Sequence, residues 1–174
     1  MLTLVLGGAR SGKSRYAQSL CGESDEVVFI ATAPSASDPE MNRRIARHRA
    51  ERPASWTTVE APLAPVDAVE SAGDGVVVIV DCVTLWLSNL SYRNRGLRTV
   101  ARQARILGEV SSFVDASRER DVIAVSNDVG SGVVPETAVG REFRDLQGLA
   151  NQILAAAASR VVFMVAGIPM SVKE

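Results

Sequence analysis

The 174-residue sequence carries a formal net charge of −1, from 19 Lys and Arg against 20 Asp and Glu. That balance excludes a global attraction to nucleic acid or to an anionic membrane surface, so any basic function must be local. The length suits one domain over 1–174, and 47% hydrophobic residues with only 5% aromatics predict an interior of Val, Ile, Leu and Ala, as in parallel strands covered by helices.

In chain order, the apolar run Leu2 to Leu6 has the length of a buried strand. It leads directly into Gly7-Gly8-Ala9-Arg10-Ser11-Gly12-Lys13-Ser14, which reads G-x-x-x-x-G-K-S, the phosphate-binding loop of nucleoside triphosphatases and kinases. Glycine at 7 and 12 allows the backbone to turn tightly with its amides inward, so that several N–H groups and a helix start converge on phosphate oxygens. In that arrangement Lys13 reaches the β- and γ-phosphates and Ser14 offers its hydroxyl to Mg²⁺, while Arg15 to Cys21 continues as a helix. A chance glycine-rich turn is the competing reading, and the strand before and helix after it speak against that.

Cys21 and Cys82 lie far apart without metal-ligand spacing, which points to reduced intracellular thiols. The N-terminus enters a strand without a basic leader, and no apolar run approaches the ~20 residues needed to span a bilayer, so a cytosolic protein is expected.

A second apolar run, Val27 to Ile30, ends at Ala31-Thr32-Ala33-Pro34, where small residues leave room for a ligand. Thr32 is either a donor to a phosphate or ribose or a plain turn residue. Asp38 to Arg52 reads as a helix, with Asp38 as N-cap, Pro39 in the first turn and Pro53 as the stop. Met41, Ile45 and His48 share one stripe, which turns the only histidine inward or into a cleft. Arg43, Arg44, Arg47, Arg49 and Arg52 surround it, a concentration of guanidinium groups suited to phosphate. A solvated arginine face with a partly buried histidine is the plainer reading of this helix taken alone.

Trp56 to Ala61 reads as a short strand with Glu60 near its end, Leu63, Val66 and Val69 are spaced for a short helix, and Ala72 to Gly75 is a turn. Val76 to Asp81 is the most hydrophobic strand, and its terminal carboxylate is where a nucleotide-binding fold meets Mg²⁺. Val83 to Leu90 is helical, Ser91 to Arg98 a polar link, and Thr99 to about Arg120 a long amphipathic helix. Val122 to Val125 is a strand feeding a loop from Ser126 to Pro135; Thr137 to Ser159 is helical, and Val161 to Ala166 is the last strand. Strands alternating with helices predict an α/β fold, a three-layer P-loop NTPase-like (RecA-like), mostly parallel sheet with helices on both faces. The strand ends bearing Gly7 to Ser14, Thr32, Asp81 and Asn127 then share one edge.

Several spaced motifs in order give the chain a further likeness. Gly7 to Arg15 reads G-G-A-R-S-G-K-S-R, Ile30 to Thr32 reads I-A-T, and Arg44 to Pro53 reads R-I-x-x-H-x-x-x-R-P. Asp81 to Leu90 reads D-C-x-T-x-W-L-S-N-L, and Phe143 to Gln152 reads F-R-D-x-x-G-x-x-N-Q. On these the chain resembles, from end to end, the bifunctional adenosylcobinamide kinase/adenosylcobinamide-phosphate guanylyltransferase family of cobalamin biosynthesis. The resemblance implies phosphorylation of the aminopropanol hydroxyl of adenosylcobinamide by ATP or GTP, then transfer of GMP from GTP to that phosphate through a covalent guanylyl-histidine. It places that histidine at His48, in reversal of the plainer reading above. It also implies a guanine nucleotide site lined by Ala31, Thr32, Ala33, Arg49, Ala50, Glu51, Arg52, Glu60 and Asp81, and a homotrimer. One departure is visible: the family loop S-N-E-V-G-x-G-I-V-P appears as Ser126 to Pro135 with Asp128 in place of the glutamate, a carboxylate one methylene shorter. Asp81 and Asp128 are both candidates for the kinase base.

Two rival readings make different predictions. A phosphate-loop small-molecule kinase moves only the γ-phosphate and carries no covalent nucleotide. A GTP-binding switch requires an N-K-x-D guanine-reading motif, which the sequence lacks, and its only D-x-x-G, Asp145 to Gly148, falls inside the predicted last helix.

Overall fold

Among the described residues of the computed structural model, which are 1–22, 26–33 and 52–174, seven strands form one sheet. The strands are β1 (Leu2–Gly7), β2 (Val27–Ala31), β3 (Thr57–Glu60), β4 (Val77–Asp81), β5 (Asp121–Asn127), β6 (Arg160–Val165) and β7 (Ile168–Lys173), in the spatial order β3-β2-β4-β5-β1-β6-β7. The first six are parallel and β7 pairs antiparallel with β6. The described helices are α1 (Lys13–Ser19), α2 (Pro65–Glu70), α3 (Val83–Arg93), α4 (Thr99–Ala116) and α5 (Ala138–Ala157). This is the P-loop fold of RecA-like kind that the motif order predicts.

Alternation along the strands divides the interior in two. Leu2, Leu4, Ile30, Val78, Val80, Val122 and Ala124 face α2 to α5, where Trp86, Leu87, Leu90, Ile106, Phe113 and Leu154 are fully buried. Val5, Val27, Phe29, Ile79, Ile123, Val125 and Met164 face the other way, toward Tyr16 and Ala17 of α1, Leu20 at its C-cap, and Trp56. A strand with helices on both sides is apolar at every position, which is why these runs read as nearly continuous Val, Ile and Leu.

Several boundaries depart from the sequence reading for local reasons. Helix α3 runs three residues into the expected polar link because Ser91 and Asn94 turn back onto the Leu87 and Leu90 carbonyls. Helix α4 stops at Ala116 instead of near Arg120, and the Arg120 guanidinium bonds the Glu70 and Ala72 carbonyls at the C-terminal end of α2. Strand β5 includes Ser126 and Asn127, so the loop starts at Asp128. The expected last strand is followed by one more. Ala166 and Gly167, both at positive φ, turn the chain into β7, whose six residues are all exposed. Its Ile-Pro-Met-Ser-Val-Lys sequence is short and near the C-terminus, and edge strands lack the continuous apolar signal of buried ones. The expected helix from Asp38 to Arg52 lies outside the described residues up to position 51.

Candidate functional site

Parallel pairing brings the C-terminal ends of β1, β2, β3, β4 and β5 to one sheet edge. The register sets Gly7 beside Asn127, Asp81 beside Val125, and Ala31 between Asp81 and Glu60. The loop residues Gly7 to Ser14, Thr32, Asp81 and Asn127 therefore share the edge, as the sequence predicts, and Glu60 joins them at the end of β3.

The phosphate loop is closed by its own atoms. Ser11 N–H donates to the Gly8 carbonyl (3.3 Å), Tyr16 N–H to that of Gly12 (2.9 Å), and Lys13 Nζ to that of Gly8 (2.6 Å). Gly12, at φ 91°, is the left-handed N-cap of α1. Gly7, at φ 151°, leaves no room for a side chain: a Cβ there would lie 2.7 Å from the Met164 carbonyl oxygen and 2.8 Å from Ser11 Oγ. Two neighbours brace the loop from outside, Asp128 N–H on the Gly7 carbonyl (3.1 Å) and Gly167 N–H on the Ser11 carbonyl (3.0 Å). Lys13 and Ser11 are each only 8% exposed, and Ser11 Oγ has no hydrogen-bond partner among the described residues. A buried hydroxyl so placed, beside amides converging at a helix start, fits an anionic phosphate oxygen.

The second part of the edge is assembled from distant segments. Thr32 is fully buried and each of its polar groups is engaged. Its N–H donates to the Asp81 carbonyl (3.2 Å), its hydroxyl donates to the Cys82 carbonyl (2.7 Å) and accepts from Cys82 N–H (2.8 Å), and its carbonyl accepts from Asn89 Nδ2 (2.9 Å). Of the two readings open in the sequence, the structure commits the Thr32 hydroxyl to the backbone turn and leaves it no proton for a phosphate. Asn89 Nδ2 also donates to the Pro62 carbonyl (2.9 Å). Cys82 caps α3 by accepting Leu85 N–H at its sulfur. Its thiol pKa is pushed up to about 11, first by burial and then by the Asp81 carboxylate, against lowering by the Leu85 amide, Lys13 and the Thr84 amide. One thiol thus senses both Lys13 and Asp81, which places the loop cation and the strand-end carboxylate in one neighbourhood. Ser14 and Asp81 could together hold Mg²⁺ beside a nucleotide, a hydroxyl and a carboxylate of the kind that phosphates and water would complete.

Glu60 is exposed at the end of β3 and, with Ala61, Pro62, Leu63 and Asp67, lines a cavity of about 590 Å³ between that edge and α2. Arg52 lies two rungs away from the edge, its guanidinium 3.5 Å from the centroid of the Phe29 ring and its Nη1 donating to Thr58 Oγ1 (3.3 Å). Trp56 stacks on the same Phe29 ring. His48, Arg49, Ala50 and Glu51 lie outside the described residues.

A third polar cluster supports the loop after β5. Gln147 Nε2 donates to Ser126 Oγ and Asn151 Oδ1, Ser126 Oγ donates to Asn151 Oδ1, and Asn151 Nδ2 donates to the Asn127 carbonyl. Thr84 Oγ1 accepts Asn127 N–H (2.9 Å), so α3 and α5 together fix the strand end that meets Gly7. Beyond it, the Asp128 carboxylate accepts the Ser131 hydroxyl within its own loop.

The family model for cobinamide kinase / cobinamide phosphate guanyltransferase matches residues 3–172. The chain belongs to this family. It is 45% identical to the bifunctional adenosylcobalamin biosynthesis protein CobP of Pseudomonas aeruginosa over 99% of this chain and 98% of that protein. It is 40% identical to the bifunctional adenosylcobalamin biosynthesis protein CobU of Escherichia coli K12 over 99% and 100%. A solved protein of Pyrococcus horikoshii OT3 shares the fold, with a TM-score of 0.51 at 11% identity over 99% of this chain and 86% of its own.

In this cobinamide kinase / guanyltransferase chain, sequence reasoning found the loop and the strand-end carboxylate but missed three supports. Asn89 and Asn151 stood inside the motifs without a role, because the carbonyls they bond lie 24 to 57 positions away in the chain. Gly167 gave no signal, because its contact with Ser11 depends on a hairpin whose second strand is fully exposed.

Proposed function

We propose that the protein is a bifunctional enzyme of cobalamin biosynthesis, one domain that phosphorylates adenosylcobinamide with ATP or GTP and then transfers GMP from GTP to the new phosphate. The observation that carries this reading is the braced phosphate loop, with its buried Lys13, at a sheet edge shared with Asp81, in a chain of this family. In the kinase step the substrate hydroxyl gives its proton to a carboxylate, its oxygen bonds the γ-phosphorus, and the β–γ bridging bond breaks to release the nucleoside diphosphate. With Asp81 assigned to metal binding, Asp128, whose own N–H is bonded to Gly7, takes the role of base. The Ser14 hydroxyl and the Asp81 carboxylate would hold Mg²⁺, which when bound would supply positive charge against the phosphate oxygens.

In the second reaction a neutral ring nitrogen of His48 bonds the α-phosphorus of GTP, and the α–β bridging bond breaks to release pyrophosphate. An oxygen of the corrinoid phosphate then bonds that phosphorus while the P–N bond breaks. This restores the imidazole and yields adenosylcobinamide-GDP. Lys13 stabilises the charge accumulating on the departing phosphates. The backbone from Ala31 to Ala33, the segment Arg49 to Arg52, Glu60 and Asp81 are assigned to the guanine nucleotide by resemblance to the family.

The same reading includes a cytoplasmic location and a homotrimer. Among the described residues no helix is long and apolar enough to cross a membrane, and β7 offers an exposed edge with Ile168, Met170 and Val172 alternating along it.

The test is incubation of the protein with Mg²⁺ and GTP labelled at the α-phosphate, followed by denaturation. Acid-labile, base-stable label that is absent from His48→Ala is expected. No label under conditions where GTP binds would favour a phosphate-loop kinase without covalent transfer.

A further inference from the structure

Beyond Ala31 and Glu60 the parallel pair β2 and β3 runs out of backbone donors. The last rung is Ala61 N–H to the Ala31 carbonyl, at 2.9 Å. After it come the carbonyls of Thr32 and Pro62. Proline has no N–H to offer, and the Thr32 N–H is already given to Asp81. The two hydrogens of the Asn89 carboxamide fill this gap, one to each carbonyl, both at 2.9 Å. A side-chain amide thus acts as one more rung and fixes how far the two strands splay where they leave the sheet.

The source of that rung matters. Asn89 is carried by α3, which starts at Cys82 directly after the Asp81 strand end, and Cys82 is itself locked to the Thr32 hydroxyl. The Asn89 amide therefore ties the exits of β2 and β3 to the helix that follows the metal-binding carboxylate. The β2 exit is the chain that leads on to His48, and the β3 exit carries Glu60. The phosphate loop, by contrast, is closed through Gly8, Gly12, Asp128 and Gly167 without involving Asn89.

We infer that Asn89 is a positioning residue for guanylyl transfer: its doubly donating amide sets the spacing between the Thr32 and Pro62 loops, and through it the placement of the guanine nucleotide relative to the histidine that receives GMP. The inference rests on the proposed guanylyl-histidine.

The experiment uses the full chain and two variants. Asn89→Asp keeps the shape and removes both donors, while Asn89→Ser removes the second donor without setting a carboxylate against two carbonyls. For each, the rate of protein labelling from α-labelled GTP is measured over a range of GTP concentrations. The rate of adenosylcobinamide phosphorylation by ATP and the thermal midpoint are measured on the same preparation. A fall of tenfold or more in the ratio of labelling rate to phosphorylation rate is expected for Asn89→Asp, with a raised KM for GTP in labelling and a smaller change of the same sign for Asn89→Ser. Should Asn89→Asp not fold, Asn89→Ser decides by the same ratio, with threefold as the least change that supports the inference. An unchanged ratio, or both rates falling in step with the folded fraction, overturns it and makes Asn89 merely structural. Failure of the wild-type chain to take up label would instead overturn the guanylyl-histidine itself, so the two failures are distinct.

Discussion

The phosphate loop and the corner formed by Thr32, Pro62, Cys82 and Asn89 occupy the same sheet edge and are built in opposite ways. The loop is eight consecutive residues whose internal bonds span three to five positions, with two braces from neighbouring turns. The bonds that join the corner's four residues to one another span 27, 50 and 57 positions. A device needed by any nucleotide reaction is written contiguously, whereas the part we assign to guanylyl transfer exists only once β2, β3, β4 and α3 have been brought together.

The largest effect that sharpens this contrast is expected from Lys13→Ala. On the proposed reading both reactions use the loop, so both rates are expected to fall by about 10²-fold or more, as for loss of a preorganised charge in a transition state; assays of each reaction on one preparation check it. Retention of either reaction would separate the nucleotide sites and break the picture of a shared loop.

Next in size is a pair of glycine variants within the loop. Gly7→Ala puts a Cβ 2.7 Å from a backbone oxygen at φ 151° and is expected to cost about 3 kcal/mol. Gly8→Ala meets nothing within 4 Å and is expected within about 0.5 kcal/mol of wild type. Urea unfolding distinguishes them, and equal costs would mean that the loop is not held as tightly as its braces indicate.

In the corner, Thr32→Val removes one hydroxyl and leaves the buried Cys82 N–H and carbonyl without their partner, at a cost of about 1–3 kcal/mol. Thr32→Ser keeps the hydroxyl and is expected to retain most of that stability, measured by the same unfolding curves.

The last comparison, of a size similar to that in the corner and confined to alkaline pH, tests whether loop and corner are electrostatically joined. Because burial and Asp81 raise the Cys82 pKa from 9.0 to about 11, the fold favours the neutral thiol. The associated stability is fully present below pH 9 and is lost as the pH rises through about 11, a change of about 2–3 kcal/mol for a shift of that size. Unfolding of wild type and Cys82→Ala between pH 8 and 11 should therefore converge at the alkaline end. Removing the Lys13 charge is expected to push the thiol pKa higher still, which deepens the alkaline loss without moving its onset near pH 9.

Legibility followed the range of the interactions. Gly7 to Ser14 and the strand ending at Asp81 could be read directly, because a tight turn needs glycine at set positions and a buried parallel strand needs an unbroken apolar run. The motif string around Asn89 and Asn151 marked those residues as part of a pattern without saying what they hold. Thr32 stood undecided between ligand and turn, since its hydroxyl partner lies 50 residues away.

By itself the sequence determined the element order, the phosphate loop, the position of the carboxylate and the family. It did so because hydrophobic period, turn chemistry and motif spacing act over a few residues and survive without a partner. Only the tertiary structure decided that the Thr32 hydroxyl staples the end of β2 to Cys82, that Asn89 completes the β2–β3 ladder, and that a seventh strand and its Gly167 turn brace the loop. Each of those outcomes depends on which backbone donors are left over when strands from distant parts of the chain reach their ends, and such a remainder is fixed by register and packing, not by any one stretch of residues.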